Sequence, residues 1–244
     1  MGFLDKLFSK NNKSTEQNET KAQNNKASFS TVEEILQRYG GIVMDKQLDF
    51  GDVIGENNWN INIGNEEISF GDDLVFPIQV LGTISHATQT WLWAWANTKS
   101  GLSESIVQQA LQLKKYGEDH QIDLLRNDSF GFTKEDLHLM GTIAAGIHNA
   151  TAYYICDYGQ GAMVVTIKDN EIDKMRKDNH LRILTVFPQL ISQYEMNHKA
   201  ALLSYLNDKG YSIEENASNI TATKNGEIIT AEFDEQSRLK KING

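Results

Sequence analysis

The chain has 244 residues, 40% of them hydrophobic, with one cysteine and two prolines; that is enough for one large domain or two small ones, while a lone Cys156 excludes an internal disulfide and a cysteine-rich metal framework. Thirty-three acids against 23 bases set the net charge at −10, and no basic stripe offsets it, which excludes nucleic acid as an expected partner because phosphate binding needs clustered Lys and Arg. No apolar run approaches the roughly 20 residues of a membrane span, and with a single cysteine the expected compartment is the cytoplasm.

Residues 1–10 place Phe3, Leu4, Leu7 and Phe8 on one face at 3.6 residues per turn. This is an amphipathic start, and a membrane surface is expected to be reached only through it. Residues 11–28 are polar and read as a disordered linker. Residues 1–28 hold five Lys and three acids, so the remainder carries −12. The folded part is expected to be one domain over 29–244, with a C-terminal meander over 210–244.

Thr31 and Glu34 predict a capping box for a first helix, with Val32, Ile35, Leu36 and Tyr39 inward and Gly40-Gly41 as its stop. From Gln47 to Thr98 there is no Lys or Arg, but there are seven acids: Asp49, Asp52, Glu56, Glu66, Glu67, Asp72 and Asp73. This stretch reads as a meander of strands at 59–63, 67–70, 74–85 and 90–97. Trp91, Trp93 and Trp95 in the last of these alternate with Leu92, Ala94 and Ala96. Period-two alternation puts the indoles on one face and slender residues on the other, so the strand should be central in its sheet and covered on both sides.

The period then changes. Ser103 predicts a helix to Tyr116, and Thr133 with Asp136 predicts another to Ala150. The small residues of the second suit it to pack on the Leu92-Ala94-Ala96 face. Strands follow at 151–156 and 162–168, then helices at 185–194, with Pro188 in its first turn, and at 198–209, capped by Asn197. Four short strands end the chain, at 211–215, 220–224, 227–233 and 238–242. Asn225-Gly226 between two of them is the strongest hairpin signal. The expected class is α+β: a twisted, mainly antiparallel sheet with helices packed on one face and a C-terminal β-meander.

The word Thr90–Asn97, preceded by Leu81-Gly82-Thr83-Ile84-Ser85, resembles a bacterial family catalogued only as a domain of unknown function. The pieces Asn197–Ala201 with Tyr205-Leu206 and Gly210, and Phe233-Asp234-Glu235 with Arg238, are similar to it too. Ser237 stands where that pattern has Gly. The resemblance implies a soluble bacterial protein and carries no activity with it.

No Walker, dinucleotide or nucleophile-elbow loop occurs. The six histidines show no paired metal spacing, and no metal or cofactor is expected. Candidate ligand-binding residues are Trp59, Trp91, Trp93 and Trp95, whose faces attract cations, the neighbouring acids Asp72 and Asp73, and His148. For each, a structural role stands beside the functional one: indoles as core, acids as a solvated rim, His148 as a hydrogen-bonded structural residue. The leading expectation is a non-catalytic module binding a protein or a small cationic ligand. Behind it stand a small hydrolase- or isomerase-like enzyme using a pocket between sheet and helices, with His148 or an acid as general base, and a peripheral membrane protein recruited by residues 1–10.

Overall fold

The computed structural model describes residues 28–134 and 136–244; the amphipathic start and the polar linker as far as residue 27 lie outside them. The fold is α+β, and every strand pair is antiparallel. Its centre is β3 (Leu74–Ser85), which pairs with β2 (Glu67–Phe70) through its first half and with β4 (Thr90–Trp93) through its second. On its other side β3 pairs with β7 (Gly161–Ile167), and β7 with β6 (Ala152–Asp157). β1 (Trp59–Asn62) and β5 (Ser129–Gly131) complete this seven-stranded sheet. A second sheet, β11-β10-β9-β8, is the expected C-terminal meander, formed by Ser212–Glu215, Asn219–Lys224, Glu227–Phe233 and Leu239–Asn243. Asn225 and Gly226 turn its β9–β10 hairpin with φ of 52° and 85°, as a two-residue turn with positive φ at both positions requires.

The tryptophan strand is shorter than its alternation predicts. It ends at Trp93, and Ala94–Ala96 form a 3-10 turn. The ladder runs out at this point: Trp93 faces Gly82, where β3 bulges, and β5 contributes only three residues. Trp91 and Trp93 are fully buried and meet edge to face at 5.5 Å. Gly82 makes room for them, since a Cβ there would lie 2.4 Å from the Trp91 ring. Trp93 Nε1 donates to the Leu124 carbonyl at 3.1 Å. Trp95 leaves the row and lies under the Lys114 ammonium, 4.3 Å from its ring centre.

The first helix, α1 (Val32–Ile54), begins at the Thr31–Glu34 capping box as expected, but it does not stop at Gly40-Gly41. A Cβ on Gly40 would fall 2.7 Å from Leu190, and one on Gly41 2.6 Å from Tyr205. The glycines are there for close helix contact, which outweighs their helix-propensity cost of about 1 kcal/mol each. Asp49 and Asp52 are therefore helical, not part of the meander.

Further helices are α2 (Gln108–His120), α3 (Asp123–Arg126), α4 (Leu137–Ile147), α5 (Asn170–Lys174), α6 (Leu181–Gln193) and α7 (His198–Asp208). α4 packs mainly against β6, β7 and α1, not on Leu92 as its small residues suggested. α6 starts four residues before its predicted Thr185, which leaves Pro188 inside it. Burial of Ile183, Val186, Phe187 and Leu190 and the anchoring of Arg182 override the interior-proline penalty of about 3 kcal/mol.

That anchor is an ionic seam. Asp45, Asp49 and Asp52, on one face of α1, receive Arg182 of α6 at 3.1, 2.5 and 3.4 Å. Asp45 also accepts from Lys209 at 2.6 Å and from the Tyr205 hydroxyl at 3.1 Å. Two acids of the base-free stretch are thus paired by bases from far along the chain. α1 adds Ile35, Phe50 and Ile54 to the core under the large sheet, and Ile42 and Met44 to the core shared by α6, α7 and the meander.

Candidate binding groove at the free edge of β6

Among the described residues β6 is an outer strand, with β7 as its one strand neighbour. The Tyr158 N–H bonds the Gly161 carbonyl at 3.0 Å across the hairpin turn, which sets the alternation of the ladder. Cys156, Tyr154 and Ala152 direct their backbone groups at β7, so Tyr153 and Ile155 direct theirs outward. At Tyr153 the outward groups are taken by the Gln47 carboxamide of α1. Tyr153 N–H donates to Oε1 at 2.9 Å, and Nε2 donates to the Tyr153 carbonyl at 3.1 Å. This side-chain amide sits where a neighbouring strand's peptide group would lie. Two residues on, the N–H and C=O of Ile155 meet no strand and no side chain among the described residues.

A cavity of about 590 Å³ opens along this edge. Tyr153, Tyr154 and Ile155 form one wall, and Leu137 and His138 at the start of α4 form the other. A second lobe of about 560 Å³ shares Gln47, His138 and Tyr153 with the first and runs on between α1, α4 and α6 to Met44, Thr142 and Tyr194. Gly141 permits this geometry, because a Cβ there would lie 2.2 Å from the Tyr153 ring.

The polar groups at the junction are un-ionised at neutral pH. Burial pushes the Tyr153 hydroxyl well above the ordinary phenol range and lowers the His138 imidazole below its usual value. His138 Nδ1 and the Tyr153 hydroxyl are 2.9 Å apart. At one end of the groove Lys134 holds Asp157 at 2.6 Å. Cys156, one residue beyond the groove wall, is buried, and its thiol is pushed up to about 12. It is a small core residue, not a nucleophile. Among the described residues no group of three or more His, Cys, Asp and Glu is arranged to hold a metal ion.

The structure does not gather the residues singled out in the sequence. Trp91 and Trp93 are sealed in the core, and Trp95 is covered by Lys114. Asp72 and Asp73 are exposed in the β2–β3 turn. His148 follows the last residue of α4, half-buried, and lines neither lobe. Trp59 alone adjoins the groove, its ring edge-on to Tyr154 at 6.3 Å. Gln47 and Ile155 gave no sign in the sequence. The signal that could find His138 and the Tyr153-Tyr154 pair is a polar-tipped ring in an apolar segment, but nothing local joins them.

The model of a family of unknown function, DUF6882, matches residues 33–170. The chain belongs to that family. The DUF6882 segment carries the Trp91 strand and every residue lining the first lobe. It ends before Tyr194 and before the Asn197 and Phe233 pieces. No curated protein and no solved structure matches the chain. Among the described residues no helix is long and apolar enough to cross a membrane.

Proposed function

We propose that this protein is a non-catalytic binding module that takes up an extended peptide segment as an added strand on β6. The observation that carries the reading is the unpaired N–H and C=O of Ile155, next to a position where Gln47 already mimics the missing strand. Added strands gain affinity from main-chain hydrogen bonds and specificity from pockets for alternate side chains. Here the aromatic and apolar walls on either side of the edge supply those pockets, with Trp59 extending the aromatic one through Tyr154. Two features favour binding over catalysis. Burial moves the Tyr153 phenol far above the range where proton transfer is efficient at neutral pH, and the thiol nearby is buried and likewise raised. Among the described residues neither lobe is lined by a carboxylate, so a peptide with apolar alternate residues fits better than a small cation.

The test is selection from a displayed library of random heptapeptides, followed by fluorescence anisotropy with the selected sequence. Selected peptides should carry apolar or aromatic residues at alternate positions. Ile155→Pro, which removes the outward N–H but no ladder bond, should weaken binding about tenfold or more with little change in melting temperature. N-methylation of the selected peptide at its central amide should do the same. Retention of full affinity by both the proline variant and the methylated peptide would sink strand addition.

A further inference from the structure

α1 is a wall between two different spaces. Gly40, Met44, Gln47 and Leu48 face the groove, while Tyr39, Ile42, Val43 and Lys46 face a separate cavity of about 360 Å³. The two sets lie on different faces of the helix, about 135° apart on average at 100° per residue. The second cavity is polar and cationic. Lys46 is 6% exposed and, among the described residues, has no carboxylate in hydrogen-bonding contact. Its ammonium donates to Asn149 Oδ1 at 2.8 Å and to the Ala150 carbonyl at 2.9 Å. An ammonium carries three donors, so one is left over in a group that lines the cavity. Burial brings the Lys46 pKa down to about 8, a mark of a positive charge short of compensation.

Arg176 lines the same cavity and, among the described residues, forms no ion pair, although Asp178 lies near enough to feel its charge. This is unlike its neighbours: Arg38 is held by Asp208 at 2.6 Å, Lys177 by Asp52 at 2.6 Å, and Lys224 by Asp178 at 2.6 Å. The acid that bears most on Lys46 is Asp173, and Lys168 already holds it. Three cations, Arg38, Lys46 and Arg176, line this space against one acid, Asp208, in a chain whose net charge is −10. The remaining wall is apolar, from Tyr39, Ile42 and Ile147.

We infer that this cavity is a binding site for a small organic anion, its phosphate or carboxylate head between Arg176 and Lys46 and its body against Tyr39, Ile42 and Ile147. A planar guanidinium outside any ion pair is suited to grip such a head with two parallel hydrogen bonds, and the spare Lys46 donor supplies a third. The site is independent of the peptide groove and stands or falls separately from it.

Isothermal titration of the full chain at low ionic strength tests this, with phenyl phosphate, benzoate, inorganic phosphate and neutral phenol as probes. Phenyl phosphate or benzoate should bind, the stronger of the two identifying the head group, and should bind more tightly than inorganic phosphate; phenol should not compete. Added salt should weaken binding. Arg176→Gln should weaken it about tenfold with the melting temperature unchanged, since no ion pair is lost. Lys46→Met should do likewise, read alongside its own melting temperature. Affinity weaker than about 1 mM for both aryl anions, or equal affinity in the wild type and Arg176→Gln, would overturn the assignment.

Discussion

Trp93→Ala is expected to lower the free energy of unfolding by about 3–5 kcal/mol, a fall in melting temperature of roughly 10 °C for a chain of this size. The indole is fully buried, stacks edge-on against Trp91, and donates its one N–H to the Leu124 carbonyl. Truncation removes large apolar burial, opens a cavity beside a ring that cannot follow, and strands that carbonyl. Neither indole lines the groove, so peptide affinity measured well below the lowered melting temperature should be unchanged. Calorimetry checks the first half and anisotropy the second. A melting temperature within about 2 °C of wild type would mean that the ring is not part of the core.

Asp45→Ala should cost a comparable amount, about 3–5 kcal/mol, for an electrostatic reason. The carboxylate is 2% exposed and serves Lys209, Arg182 and the Tyr205 hydroxyl at once. Its loss leaves the Lys209 ammonium, itself buried, without a counter-charge. The pairing of Asp45→Ala with Lys209→Met should recover much of the loss, because replacing both members of a buried pair is far milder than orphaning one. Lys177→Ala, at the exposed end of the same seam, should leave the melting temperature almost unchanged. Equal melting temperatures for Asp45→Ala and the double variant would show that the buried lysine does not depend on this acid.

Local signals in the sequence were mostly met by the local structure. β3 and β10 run between the residues that the alternation predicts, the Thr31–Glu34 box caps α1, and Asn225-Gly226 turns a hairpin. The departures occur where distant residues decide. Gly40-Gly41 carries a stop signal, but Leu190 and Tyr205 press on it and the helix continues. Pro188 marks a helix start by rule, but Arg182 anchors the helix a turn and a half earlier. Trp95 continues the alternation in sequence, but there is no ladder beyond Trp93 to keep it extended. The groove was hidden for the same reason. It depends on Gln47 reaching Tyr153, 106 positions away, and on an open pair of main-chain groups, which no side-chain pattern reports. Conspicuous residue types led to the tryptophans, which turned out to hold the interior together.

The course of α1 has a practical consequence for dividing the molecule. The DUF6882 match stops at residue 170, yet α1, inside that match from its second residue on, presents Gly40, Gly41 and Asp45 to Leu190, Tyr205 and Lys209, all beyond it. A fragment trimmed to the matched span would display Ile42 and Met44 to solvent and leave Asp45 facing water with its cations gone. Such a fragment should self-associate during expression, whereas one running to the end of the meander should stay monodisperse on gel filtration. A boundary drawn by sequence kinship is here not a seam along which the chain can be cut.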